Sequence, residues 1–148
     1  MPCRVKKNAF TLVELLISIS IIAILSVILS ISFSKAQKNA RDQRRIEDLK
    51  AVQTAAEQYY LLSGSYPASN LYGANDTWTV SGQVVLQSFP KDPKDTEYLV
   101  DSAAIANGGY CLCAALEKEG SDSANADWAG SNCDWFNVGD YYCVRNQQ

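Results

Sequence analysis

The chain has 148 residues, 47% hydrophobic and 20% charged, with a formal net charge of −3 and no histidine; this length suits one ordinary domain. The missing imidazole excludes a Ser-His or Cys-His nucleophilic pair, a histidine metal ligand and a histidine pH switch. The averages conceal a division, because residues 10–33 form a 24-residue apolar run with one charge, Glu14, while residues 64–148 carry 11 acidic and 4 basic side chains, a net of −7.

In chain order, residues 1–9, MPCRVKKNA, form a short basic leader through Arg4, Lys6 and Lys7 and lead directly into FTLVELLISISIIAILSVILSISF. As a helix this run is about 36 Å long, enough to cross a hydrocarbon core of about 30 Å. A cleaved secretory signal would have a shorter apolar region followed by a small-residue cleavage site, and the sequence offers neither. Glu14 is the informative residue. A carboxylate inside a spanning helix costs of order 3 kcal/mol at the centre and less near an end, so it calls for a partner or for headgroup water.

Lys6-Lys7-Asn8-Ala9 followed by Phe10-Thr11-Leu12-Val13-Glu14-Leu15-Leu16 resembles the class III signal of type IV pilins and type II secretion pseudopilins. The basic leader, the Phe at the cleavage position, the Glu four residues later and the unbroken apolar helix coincide. The resemblance implies that a prepilin peptidase cuts between Ala9 and Phe10 and N-methylates Phe10. It also implies that Glu14 neutralises the new α-amino group, usually on a neighbouring subunit. Two charges that are costly singly in a low-dielectric layer attract strongly when paired, which would fix axial register. Two departures from the family stand out. Ala9 occupies the usual glycine position, and residues 10–63 contain no Pro or Gly, where the family often has one in mid-helix. A continuous helix is therefore expected.

Lys and Arg counts at the two ends of the run, Arg4, Lys6 and Lys7 before it and Lys35, Lys38, Arg41, Arg44 and Arg45 after it, favour a cytoplasmic C-terminal part. The family resemblance and the cysteine content argue the reverse, and the expectation follows them: a single-pass protein of the cytoplasmic membrane with its C-terminal domain outside. Beyond Phe33, Ile46, Leu49, Val52, Ala56, Tyr59 and Tyr60 recur at helical spacing, with Arg44, Arg45, Glu47, Asp48 and Lys50 assigned to the other face. One rod of about 80 Å over residues 10–62 is expected, stopped by Gly64 and Tyr66-Pro67. The basic cluster from Lys35 to Arg45 is interleaved with Asp42, Glu47 and Asp48, and Arg44 and Asp48 stand at i, i+4, so it makes a poor phosphate track and no specific nucleic acid is expected.

After Gly64, short apolar stretches at 78–80, 84–86, 97–100, 110–114 and 141–144 read as strands, giving a small antiparallel sheet on the second half of the helix. The fold class is thus α+β and pilin-like, in four parts: leader 1–9, transmembrane and fibre-core helix 10–33, amphipathic continuation 34–63 and globular domain 64–148. Phe89-Pro90-Lys91-Asp92-Pro93 resembles the loop before the sheet in pseudopilins. Of five cysteines, Cys3 would leave with the leader, and Cys111, Cys113, Cys133 and Cys143 read as two disulfides of a small extracellular domain. Cys111 and Cys113, two apart on a strand, are poorly placed to bridge each other. Each is therefore expected to join Cys133 or Cys143, with the pairing open. A four-thiolate zinc site is the rival, but CxC with long later gaps lacks two-knuckle spacing, so no metal is expected. Asp122, Asp127, Asp134 and Asp140 offer oxygens for a Ca²⁺ such as some pseudopilins bind, yet match no known loop; no cofactor is expected.

Neither a paired nucleophile and base nor a phosphate loop is present, so the reading is a structural subunit rather than an enzyme. It would wait in membrane lipid, then enter a homo-oligomeric or mixed pilin fibre with the help of the prepilin peptidase, an inner-membrane assembly platform and an ATPase motor. The alternatives are a pseudopilin of a type II secretion system or competence pilus and, in another class, a membrane-anchored binding domain that never polymerises.

Overall fold

The computed structural model describes residues 10–118, 123–129, 132–135 and 139–147, of which 29–32 and 129 by backbone alone. Helix α1 runs uninterrupted over Leu12–Ser63, as a stretch free of Gly and Pro allows. Its start is capped by a reciprocal pair: Glu14 N donates to Thr11 Oγ1 at 3.3 Å, and Thr11 N donates back to Glu14 Oε2 at 2.9 Å, the capping-box arrangement. Its end is set by Gly64, whose φ of +77° lies in the left-handed region and whose N–H reaches the Tyr60 carbonyl at 2.8 Å. The chain divides into two compact units, Met1–Gln37 and Lys38–Gln148.

In the second unit the 3.6-residue period of α1 buries Ile46, Leu49, Val52, Ala55 and Ala56. All but Ile46 share a cluster with Tyr66, Tyr72, Trp78, Phe89, Tyr98, Tyr110, Leu112 and Val144. Trp78 is fully enclosed, and its indole N–H donates to the Leu71 carbonyl at 2.5 Å. Tyr72 and Phe89 meet this ring at centroid distances of 5.2 and 6.1 Å. Aromatic pairs at such separations add to the burial of their area.

Strands β1 (Trp78–Val80) and β2 (Gln83–Leu86) form a hairpin. Its turn places Ser81 at φ 50° and Gly82 at φ 83°, the two positive values a two-residue hairpin loop needs to match strand twist. The main sheet has the order β3-β4-β7, from Leu99–Val100, Cys111–Ala115 and Tyr141–Arg145. A five-residue helix α2 (Ser102–Ala106) lies between β3 and β4. A ribbon of β5 (Asp127–Ala129) and β6 (Asn132–Asp134) completes the strands among the described residues.

The layout is α+β and pilin-like, a long N-terminal helix followed by small antiparallel sheets. Three details differ from expectation. Among the described residues the single sheet is three small ones, of two, three and two strands, because β1 pairs with β2 and β5 with β6, while β3, β4 and β7 share a separate ladder. The ribbon and α2 were not foreseen. Arg45, assigned to the outer face of the helix, is only 2% exposed, and Asp42 with it only 4%.

Candidate functional site

At the start of α1, Glu14 Oε2 also accepts from the Thr11 hydroxyl at 2.8 Å, so both of the Thr11 donors converge on one oxygen. Phe10 is 85% exposed; Ala9 lies outside the described residues. Leu12, Val13, Leu15, Leu16, Ile17 and Ile19 are each more than half exposed, as are the larger apolar side chains described from Ile21 to Phe33. The hydroxyls of Ser18, Ser20 and Ser26 donate to the carbonyls of Glu14, Ile17 and Ile22 at 2.6–2.8 Å. Bonding back into the helix removes the polar cost of serine in an apolar layer. By length and composition this is the one described helix able to cross a membrane. An uncovered apolar rod can sit in lipid or pack against other rods of its kind.

In the second unit, six charged groups join α1 to two loops. The Arg45 guanidinium grips Asp92 through Nε at 2.5 Å and NH2 at 3.1 Å. Its NH1 donates to Asp42 at 2.8 Å and to Glu117 at 3.1 Å. Arg41 holds Glu117 bidentately at 2.6 and 2.7 Å, and Lys94 Nζ reaches the same carboxylate at 2.8 Å. Asp42 accepts the backbone N–H groups of Glu117 and Lys118. Three cations meet three anions, which is what burial of charge requires. The Arg41 hydrogen bonds outweigh desolvation and hold the Glu117 carboxyl well below its usual range. Burial pushes Asp92 up, yet its bonds from Arg45 and the Lys94 N–H bring it below its ordinary value. Arg45 is raised, chiefly by the Asp92 hydrogen bond.

The four cysteines meet at β4, β6 and β7. Disulfides join Cys111 to Cys133 and Cys113 to Cys143, with Cα separations of 6.5 and 4.1 Å. The second spans directly opposed residues of β4 and β7. Asn125 braces the same strand, its side chain donating to the Cys143 carbonyl at 2.9 Å and accepting the Cys143 N–H at 2.7 Å. Of the four acidic residues considered for Ca²⁺, Asp122 lies outside the described residues, and Asp127 and Asp134 are register partners across the β5–β6 ribbon.

The sequence reading singled out Glu14 but missed Thr11, although Thr-x-x-Glu is itself a helix-start signature. It also missed the Arg45 network. The signal was present: Asp42, Arg45, Leu49, Val52 and Ala56 follow one another at spacings of three and four, so the two charges lie on the apolar stripe.

Residues 4–30 match the family model described as the prokaryotic N-terminal methylation motif. This is the class III signal of type IV pilins and pseudopilins. The motif supports a type IV pilin-like or pseudopilin subunit, processed by a prepilin peptidase and assembled into a pilus or pseudopilus. It points to a structural role rather than to catalysis. No curated protein and no solved structure matches the chain.

Proposed function

We propose that this protein is a structural fibre subunit that is cut between Ala9 and Phe10, N-methylated on Phe10 and assembled through residues 10–33. The observation that carries the reading is the match at residues 4–30, together with a helix from Leu12 whose described apolar side chains up to Phe33 are uncovered. Before assembly the subunit is anchored in the cytoplasmic membrane with residues 64–148 outside. It is then drawn into a surface pilus or a secretion pseudopilus, homo-oligomeric or mixed. Leaving lipid for a bundle of like helices gains little hydrophobic energy. Packing, the charge pair between Glu14 and the Phe10 amine, and work from an ATPase motor on an inner-membrane platform drive the step.

Glu14→Leu tests this reading. The expected result is a subunit that is still made, cleaved and found in the membrane, while its content in sheared surface fibres falls at least about tenfold, as loss of one buried charge pair predicts. Unchanged fibres with normal subunit content would refute the assembly role of Glu14 and favour a tethered domain that never polymerises.

A further inference from the structure

Cys111 and Cys113 lie on one face of β4, as alternate strand residues do. Cys143 faces them from β7, and Cys133 comes from β6. All four Sγ atoms fall within 4.8 Å of one another. Cys113 Sγ stands 3.2 Å from that of Cys133 and 4.0 Å from that of Cys111, sulfurs to which it is not bonded. Because both bridges start from one face of β4, two residues apart, they bring all four sulfurs to a single point. Four thiolates around Zn²⁺, each about 2.3 Å from the metal, stand about 3.8 Å apart, and the observed cluster brackets that separation. Cys111, Cys113 and Cys143 are buried, and Cys133 is partly open, which leaves one side for an ion to enter. At this edge Arg145 is the register partner of Cys111, and its guanidinium lies 5.0 Å from the centre of the Trp135 ring. A positive charge therefore stands near a site whose filled form would carry −2. Chain spacing conceals the arrangement, since CxC is followed by steps of 20 and 10 residues.

We propose that, while its thiols are reduced, the chain holds a soft divalent cation, Zn²⁺, in a tetrathiolate site made by Cys111, Cys113, Cys133 and Cys143. A nascent chain starts in a compartment that keeps thiols reduced, so no reductant is needed. Binding displaces four thiol protons. Later oxidation by two equivalents of a disulfide oxidant removes four electrons from the four thiolates and forms the Cys111–Cys133 and Cys113–Cys143 bonds. The oxidant takes up those electrons with four solvent protons, becoming dithiol, and Zn²⁺ is released. The β6 strand is thus tied to the main sheet in both redox states.

The test uses the full-length chain in detergent micelles, with Cys3→Ser to remove the fifth thiol, reduced by a phosphine and titrated with Co²⁺. Visible and near-ultraviolet bands of tetrahedral thiolate Co²⁺ are expected to saturate at one ion per chain and to be bleached by one Zn²⁺. The bands should be missing from the oxidised chain. They should be lost in Cys133→Ser, which folds under oxidising conditions with Cys113–Cys143 intact before reduction. The near-ultraviolet dichroism of the oxidised chain should persist after reduction when Zn²⁺ is present. No bands, a stoichiometry other than one, or bands that survive Cys133→Ser would overturn the proposal.

Discussion

Glu117 shows how much a single side chain ties together, because its carboxylate receives Arg41, Arg45 and Lys94 at once. Its pKa and that of Asp92 lie below their ordinary values of 4.5 and 3.8. The unfolded chain therefore takes up protons first as the pH falls. The stabilisation is fully present above about pH 5 and is lost as the pH drops through the ordinary carboxylate range and on toward the depressed folded values. Denaturant titrations of the full-length chain in micelles, followed by Trp fluorescence, should show a plateau above about pH 5 and a falling acid limb below it. Glu117→Gln should flatten that limb, and an identical limb in the variant would rule out this account. At this scale the sequence was half legible. Glu14 declares itself because a lone carboxylate in 24 apolar residues has few explanations. Arg45 does not, because charge type suggests the surface and only its place on the stripe of Leu49 and Val52 betrays burial.

Among the elements, α1 was the most legible, since absence of breakers, an apolar run followed by a helical period from Ile46, and a terminal glycine all agree. Gly64 carries the stop. At φ +77° it has nothing within 4 Å of where a Cβ would stand, so Gly64→Ala meets no clash and only backbone strain. That substitution should cost about 1 kcal/mol, read as a shift of the denaturant midpoint without change of slope. The ribbon was illegible for a physical reason: Asp127, Asn132 and Asp134 have low strand propensity. What holds these short strands is long-range, the Cys111–Cys133 bridge and the bracing of neighbouring β7 by Asn125. Helix α2 is too short for periodicity to show; its local signs are Asp101, which accepts from Ala103 N and Ala104 N at 2.9 and 3.0 Å, and Gly108 just past its end at φ 82°.

For the molecule as a whole, cleavage and cysteine pairing can be read together. Four of the five cysteines are bridged, and the fifth, Cys3, precedes the proposed cut. Maleimide labelling of unreduced protein should therefore add one adduct to the precursor and none to the processed chain, resolved by mass. Four or five adducts would mean that the domain matures in a reducing compartment, contrary to the proposed topology. The proposed processing would also remove Arg4, Lys6 and Lys7 and take the side-chain net charge from −3 to −6. The Arg45 network contains three charges of each sign, so it subtracts nothing from that total, and the whole −6 is carried by groups outside it. A fibre of such subunits would behave as a polyelectrolyte, surrounded by a counterion layer about 8–10 Å deep near physiological salt. The spacing at which two fibres can lie side by side would then be set by the salt of the medium as much as by the shape of the protein.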